Sequence, residues 1–164
     1  MIVNQVSKID QYKLLMRQIE ELLNDSDPIV TNLSNIVAAL KQTFEKISWI
    51  GFYLIKNTQL YLGPFQGKVA CTKIEMGKGV CGTSAETKKS QVVPNVHEFP
   101  GHIACDVESK SEIVIPLMYN DEVYGVLDLD STEFAAFDDI DKVWLEQICR
   151  LVKSKLNLSK SILV

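Results

Sequence analysis

The chain has 164 residues, a length that fits one domain whose core is large enough to fold without a metal or disulfides. Seventeen Lys and Arg against 21 Asp and Glu give a net charge of −4, which argues against a nucleic-acid-binding protein. The longest apolar runs are too short to cross a bilayer and no signal peptide is visible, so we expect a cytoplasmic protein with no membrane partner.

Two helical patterns open the chain. Apolar residues at helical spacing predict a first helix over about residues 8–24, with Ser7 and Asp10 as a capping box. A second helix is predicted to begin with Asp27 as N-cap and Pro28 as the first helical residue. Its apolar stripe consists of Ile29, Leu33, Ile36, Val37, Leu40 and Phe44.

The middle of the chain is typical of a sheet. Alternating and β-branched residues predict strands over 48–56, 59–63, 68–74, 91–93, 111–119 and 123–131. A short helix is predicted at about residues 83–88, and the stretch 94–110 fits no element, so we interpret it as a lid or a wall of a site. Helices at both ends and mostly antiparallel strands between them predict an α+β domain with the helices packed on one face of the sheet.

A last helix is predicted after Asp138 and Asp139. Its apolar residues at helical spacing are Ile140, Val143, Trp144, Ile148 and Leu151. Cys149 shares a second stripe with Leu145, Val152 and Leu156, so we interpret it as a buried core thiol.

The other three cysteines lie in or beside the irregular middle of the chain. Cys71 is on a predicted strand, Cys81 at a helix start and Cys105 in the long loop. In a reducing compartment they are free thiols, metal ligands or redox groups, and a thiolate nucleophile with a second thiol in reach is one use. Zinc held by these three and His102 is the competing use, although no C-x-x-C pair is present.

Residues 77–82 satisfy the pattern G-x-G-x-x-G, but no parallel βαβ unit surrounds them. We interpret the pattern as a tight turn from strand to helix. That turn would place Cys81 near a helix N-terminus, where a thiolate is favoured.

The first predicted strand carries Trp49, Gly51 and Tyr53 on one face. Two rings beside a glycine leave a gap that suits a small apolar group or an ammonium. An aromatic core is the alternative.

Three carboxylates are the most unusual feature of the sheet. Asp128 and Asp130 share one face of an apolar strand, and matching the apolar faces pairs Ile113 with Leu129 and places Glu112 opposite Asp130. This register requires a loop with an odd number of residues, such as 120–122. Like charges buried together need a cation or a shared proton, unless this face is wet.

Six sequence blocks together resemble the free methionine-(R)-sulfoxide reductases, a single-domain branch of the GAF fold. In order along the chain they are 49–53, 62–71, 77–83, 99–106, 111–116 and 125–131. The resemblance runs from about residue 32 into the last helix and implies one GAF-like domain over residues 1–164. The helix at about 8–24 precedes it and is expected at the periphery.

The resemblance implies that Cys105 is the nucleophile, Cys71 the main resolving thiol and Cys81 an auxiliary partner. It also implies a pocket for free methionine-(R)-sulfoxide, regeneration by thioredoxin or a similar dithiol, and no metal or organic cofactor. The substrate-binding residues that it implies are Trp49, Tyr53, Glu112, Asp128 and Asp130.

The division of labour among the carboxylates is predicted from their convergence. Because three converged carboxylates cannot all be ionised cheaply, at least one keeps its proton, as a general acid requires. We assign that role to Glu112 and the substrate ammonium to Asp128 and Asp130, although a swap of roles is compatible with the register.

Two other functions use the same residues. A GAF module could bind a small ligand without chemistry, and a redox sensor could use reversible oxidation of the same cysteines. The sequence leaves both a monomer and a homodimer open.

Overall fold

The structure is a computed structural model that describes residues 7–155. These residues form a six-stranded antiparallel sheet with the strand order β3-β2-β1-β6-β5-β4. The elements are α1 (Lys8–Leu22), α2 (Ile29–Thr43), β1 (Trp49–Lys56), β2 (Gln59–Gln66), β3 (Lys73–Glu75), α3 (Gly79–Thr87), β4 (Gln91–Val93), β5 (Ser111–Tyr119), β6 (Glu122–Ser131) and α4 (Asp139–Lys155). The predicted α+β class is confirmed, and no helix within 7–155 is long and apolar enough to cross a membrane.

The two faces of the sheet have separate cores. Helices α1, α2 and α4 pack on one face, where Phe52, Ile113 and Leu129 point towards them. Helix α3 packs on the opposite face with Tyr53, Val114 and Val126. The terminal helices therefore share one face as predicted, and the short helix leaves the other face free to form a site beside it.

Helix α1 is part of the first core, although we expected it at the periphery. The Ser7 hydroxyl caps it by accepting a hydrogen bond from the Asp10 amide, as the capping box predicts. Tyr12, Leu15 and Ile19 are buried against α2 and α4. The reason lies in a contact between residues far apart in sequence, which helical periodicity alone does not reveal.

That contact is a buried carboxylate on α4. Asp141 is fully buried and accepts hydrogen bonds from the Tyr12 hydroxyl at 2.7 Å, from Lys8 Nζ at 2.9 Å and from Lys46 Nζ at 2.8 Å. The backbone amide of Asp138 donates a further bond at 2.9 Å. One carboxylate thus joins α1, the α2–β1 connection and the start of α4.

Replacing Asp141 tests whether this carboxylate holds the three segments together. Asp141→Ala should lower the free energy of unfolding by about 3–5 kcal/mol, because Lys46 loses the carboxylate that compensates it, Lys8 keeps only Asp138, and the buried Tyr12 hydroxyl loses its acceptor. Asp139→Ala is the matched control, since Asp139 is an exposed residue two positions earlier in the same helix. Urea unfolding of both variants measures the effect, and equal losses would contradict the role of Asp141.

Several predicted boundaries were wrong in detail. Helix α2 has Pro28 as its N-cap rather than Asp27, and the Asn32 side chain fixes the α1–α2 connection by bonding to the Asn24 amide and carbonyl. Strand β2 extends to Gln66, and of the predicted strand 68–74 only residues 73–74 belong to β3, which ends at Glu75.

The apolar stripe of α4 also differs from the prediction. Ile140 and Val143 are exposed, and the buried side chains belong largely to the stripe that contains Cys149. Cys149 is a buried core thiol as predicted, and burial raises its pKa to about 12. Leu156 of the predicted stripe lies outside the described residues.

The β5–β6 register is the one predicted, but the turn that sets it is different. Glu112 pairs with Asp130 and Ile113 with Leu129. The turn has two residues, Asn120 and Asp121, both with positive φ. The register shift between Leu117 and Met118 supplies the odd residue, because a bulge adds one residue to one strand only.

Candidate active site

Three neighbouring strands form the floor of the site. In the sheet, Trp49 on β1 pairs with Asp130 on β6, which in turn pairs with Glu112 on β5. Two residues before Asp130 on β6, Asp128 pairs with Gly51. Since directly paired residues project to the same side of an antiparallel sheet, the three carboxylates converge on the face away from α1, α2 and α4.

A cavity of about 40 Å³ lies over this floor, and we call it the carboxylate pocket. One water needs about 10–15 Å³ on this scale, so the pocket has room for a group of a few heavy atoms. Its polar and sulfur-bearing wall residues are Trp49, Tyr53, Lys78, Cys81, His102, Cys105, Asp106, Ser109, Glu112, Asp128 and Asp130. The long connection 94–110, irregular apart from one turn of 3-10 helix over Val96–Glu98, forms one wall as predicted.

A disulfide joins Cys71 to Cys105 at the edge of this pocket. The two Cα atoms are 5.7 Å apart, although 34 residues separate the cysteines in the sequence. The Tyr53 hydroxyl donates a 2.9 Å hydrogen bond to the carbonyl oxygen of Cys71, which fixes that segment to β1. The alternative of a zinc site does not fit this structure, because two of its four proposed ligands are bonded to each other. Those ligands were Cys71, Cys81, His102 and Cys105.

Cys81 lies deeper and is not poised as a thiolate. The turn at 77–82 forms as predicted, with positive φ at Gly77 and Gly79, and it begins α3. Burial, followed by the nearby carboxylates, raises the pKa of the Cys81 thiol well above its usual value. The expectation of a thiolate favoured by the helix N-terminus was wrong, because desolvation outweighs the dipole here. Its sulfur lies 3.9 Å from Glu112 Oε1.

The carboxylates have the electrostatics expected of buried like charges. Burial raises the pKa of Glu112 and Asp128 well above the usual range, and the neighbouring carboxylate raises each further. Burial and Asp128 raise the pKa of Asp130, which is only half-buried at the pocket mouth, in the same direction. Asp128 Oδ1 is buried without a hydrogen-bond partner among residues 7–155. The pocket therefore favours protonated carboxyls or an incoming cation.

The same corner offers ligand atoms for a metal ion. Potential ligand atoms of Cys81, Glu112 and Asp128 lie within 4.8 Å of one another, and all three residues are buried. Sulfur and carboxylate oxygens suit zinc, but the two carboxylates also suit an ammonium group.

The aromatic wall is present, but the gap over Gly51 is filled. A Cβ at Gly51 would lie 2.6 Å from the Trp49 ring and 2.6 Å from Cβ of Phe65. The Trp49 indole donates a 3.0 Å hydrogen bond to the Lys68 carbonyl and stacks near Tyr53, with ring centroids 6.0 Å apart. The glycine thus admits the indole itself, so Trp49 and Tyr53 line the pocket rather than flank an empty slot.

Sequence reasoning considered His102 only as a zinc ligand and missed Asp106 and Ser109. His102 Nε2 is 3.7 Å from Glu112 Oε2, and burial lowers the histidine pKa. The Ser109 hydroxyl is buried without a hydrogen-bond partner within the described residues. The sequence offered one indication of a role for His102, Asp106 and Ser109: they lie in the loop that contains Cys105, which was expected to form a wall of the site.

Comparison with known proteins gives consistent results. The family model described as a GAF domain matches residues 29–156. Free methionine-R-sulfoxide reductase of Saccharomyces cerevisiae is 50% identical over 131 residues, which cover 75% of this chain and 73% of the yeast protein.

Two crystal structures are similar over nearly the whole chain. Free methionine-R-sulfoxide reductase from Neisseria meningitidis in complex with its substrate superposes with a TM-score of 0.88 at 39% identity, covering 93% of this chain and 92% of that one. A putative GAF sensor protein from Burkholderia vietnamiensis has a TM-score of 0.87 at 45% identity, covering 92% and 96%. The chain belongs to the GAF-domain family and, within it, to the free methionine-R-sulfoxide reductases.

Proposed function

We propose that this chain is an oxidoreductase that reduces free L-methionine-(R)-sulfoxide to L-methionine. The observation that carries the proposal is the joint position of a Cys71–Cys105 disulfide and three carboxylates, two of them buried and Asp130 half-buried, around one pocket. A thiol pair supplies two electrons, and a protonated carboxyl supplies the proton that sulfoxide reduction needs. The yeast and Neisseria relatives support the choice of substrate.

In the first step the Cys105 thiolate attacks the sulfoxide sulfur. The protonated Glu112 carboxyl gives its proton to the departing oxygen, which its raised pKa allows. The hydroxyl then moves from the substrate sulfur to the Cys105 sulfur as the bond between the two sulfurs breaks, so methionine leaves and Cys105 becomes a sulfenic acid. The sulfoxide sulfur gains two electrons and the cysteine sulfur loses two.

In the second step the Cys71 thiol condenses with the sulfenic acid. A disulfide forms and water leaves. The backbone at Cys71 is held by Tyr53, and Cα atoms 5.7 Å apart suit this bond. An external dithiol, which we propose to be thioredoxin, then reduces the disulfide by exchange. Cys81 is buried beside Glu112, so we assign it an auxiliary role only.

Substrate binding follows from charge. Asp128 and Asp130 hold the substrate α-ammonium, since Asp128 Oδ1 is buried and has no partner in residues 7–155. Trp49 and Tyr53 pack against the apolar part of the substrate. N-acylation or an internal position in a peptide removes this ammonium, which is the basis for selecting free methionine sulfoxide.

Blocking the ammonium tests this binding mode. Turnover of free methionine-(R)-sulfoxide should exceed that of the N-acetylated form at least about thirtyfold in kcat/KM, because acylation leaves a buried carboxylate unpaired. Separated sulfoxide epimers, free and within a peptide, are assayed with dithiothreitol as reductant. Equal rates on the peptide would contradict the proposal.

A sensor without turnover is the second candidate, favoured by the similarity to the Burkholderia protein described as a GAF sensor. Three carboxylates in the pocket disfavour phosphate-bearing ligands such as cyclic nucleotides. Release of methionine over many cycles with dithiothreitol separates an enzyme from a redox sensor. Cytoplasmic location stays a prediction, and both a monomer and a homodimer stay open.

A further inference from the structure

The two most exposed large apolar side chains among residues 7–155 flank the disulfide. Val69 is 90% exposed and Val107 is 84% exposed, and each lies two residues from one of the bonded cysteines. Single apolar side chains on a surface are ordinary, but a pair beside one reactive bond is not explained by packing.

The segments that carry these valines are held side by side. Lys68 Nζ is 3.6 Å from Asp106 Oδ1 and also forms an ion pair with Glu108. It therefore joins the segment before Cys71 to the segment after Cys105. The valines alternate in sequence with these charged residues. An apolar centre with a charged rim is the usual anatomy of a protein interface.

Access to the disulfide is from this same side. Cys105 is exposed whereas Cys71 is half-buried, and Val69, Ile103 and Cys105 share the pocket edge. Thiol–disulfide exchange requires the attacking sulfur to reach bonding distance of a disulfide sulfur. A protein that brings its thiol there must lay the surface around that thiol against the valines.

We propose that Val69 and Val107 form the docking surface for the protein dithiol that reduces the Cys71–Cys105 disulfide, which rests on the regeneration step of the proposed function. The partner presents a nucleophilic thiol within an apolar face. Its thiolate attacks one sulfur of the disulfide, forms a mixed disulfide and releases the other cysteine as a thiolate. The partner's second thiol then displaces the remaining cysteine, so two electrons and two protons pass to this chain and the partner leaves oxidised.

The test measures this reduction directly, with no sulfoxide present. Oxidised protein is mixed with excess reduced thioredoxin, and in parallel with dithiothreitol, in a stopped-flow experiment that follows loss of the disulfide. The decisive variants are Val107→Asp and Val107→Lys, because Val69 also lines the pocket. Leu14→Asp is the matched control, since Leu14 is 70% exposed on α1, which packs on the opposite face of the sheet.

Both Val107 variants should react with thioredoxin about tenfold more slowly and with dithiothreitol within about twofold of the unaltered chain. Leu14→Asp should leave both rates unchanged. An unchanged thioredoxin rate, an equal loss with dithiothreitol, or a full rate in Val107→Lys would overturn the proposal, the last because it would indicate simple charge repulsion.

A second copy of the chain is the competing occupant. If Val107→Asp converts a dimer to a monomer in sedimentation while the thioredoxin rate is unchanged, the surface joins copies and the proposal is wrong. Because the assay contains no sulfoxide, a chain without reductase activity would still give a clear result, so the two proposals fail separately.

Discussion

Cys105→Ser is expected to release no methionine from free methionine-(R)-sulfoxide, because no other thiol reaches the substrate as a nucleophile. Cys71 is not among the residues that line the carboxylate pocket, burial raises the pKa of Cys81, and Cys149 lies on the opposite face of the sheet. Cys71→Ser should still release about one methionine per chain, since attack precedes resolution. Single-turnover assays of the reduced variants, with quantification of methionine, make the measurement.

The trapped intermediate gives an independent readout. In Cys71→Ser the sulfenic acid should persist at Cys105 and react with a dimedone-type probe, located by mass spectrometry. Cys149→Ser is the control, because that thiol is buried in the helix-side core and should affect stability only. Equal single-turnover yields from Cys105→Ser and Cys71→Ser would show that the nucleophile is wrongly assigned.

Glu112→Gln is expected to lower kcat about thirtyfold with little change in KM, since it removes the proton donor but keeps the shape of the side chain. That factor corresponds to the loss of about 2 kcal/mol in one charge-assisted contact. Asp130→Asn should mainly raise KM, because it removes a partner of the substrate ammonium. Glu122→Gln, at the exposed start of β6, is the matched control.

Glu112→Gln should also change how the free energy of unfolding depends on pH. Burial, and then Asp130, raise the pKa of Glu112, so the native state keeps a proton that the unfolded chain loses above its ordinary pKa of 4.5. In the unaltered protein, the stabilising contribution of Glu112 to the free energy of unfolding is therefore fully present below pH 4.5. It is lost as the pH rises through the raised pKa. Glutamine cannot ionise and has no such loss.

Urea unfolding at several pH values measures the difference. The free energy of unfolding of Glu112→Gln relative to the unaltered chain should increase between pH 4 and pH 8, by about 1.4 kcal/mol for each unit by which the pKa is raised. A difference that does not change with pH would mean that Glu112 is ionised normally in the folded protein. Its assignment as the general acid would then be wrong.

Features set within one element, or by matching two strands, were predictable from the sequence. The capping box at Ser7 forms as its spacing predicts. Glu112 faces Asp130 in a register that places both apolar faces on the helix side, where burial of side chains such as Ile113 and Leu129 stabilises the fold. Residue types also determined the available chemistry, since the chain has only four thiols, and Asp128 and Asp130 are carboxylates on an otherwise apolar strand.

Properties that depend on residues distant in sequence required the tertiary structure. Burial raises the pKa of the Cys81 thiol, which lies beside Glu112, 31 positions away in the sequence. The space over Gly51 is filled by the Trp49 ring, and α1 is drawn into the core by Asp141, 129 positions from Tyr12. Periodicity reports which face of an element is apolar, whereas desolvation and steric fit are set by whichever segments the fold brings against that face.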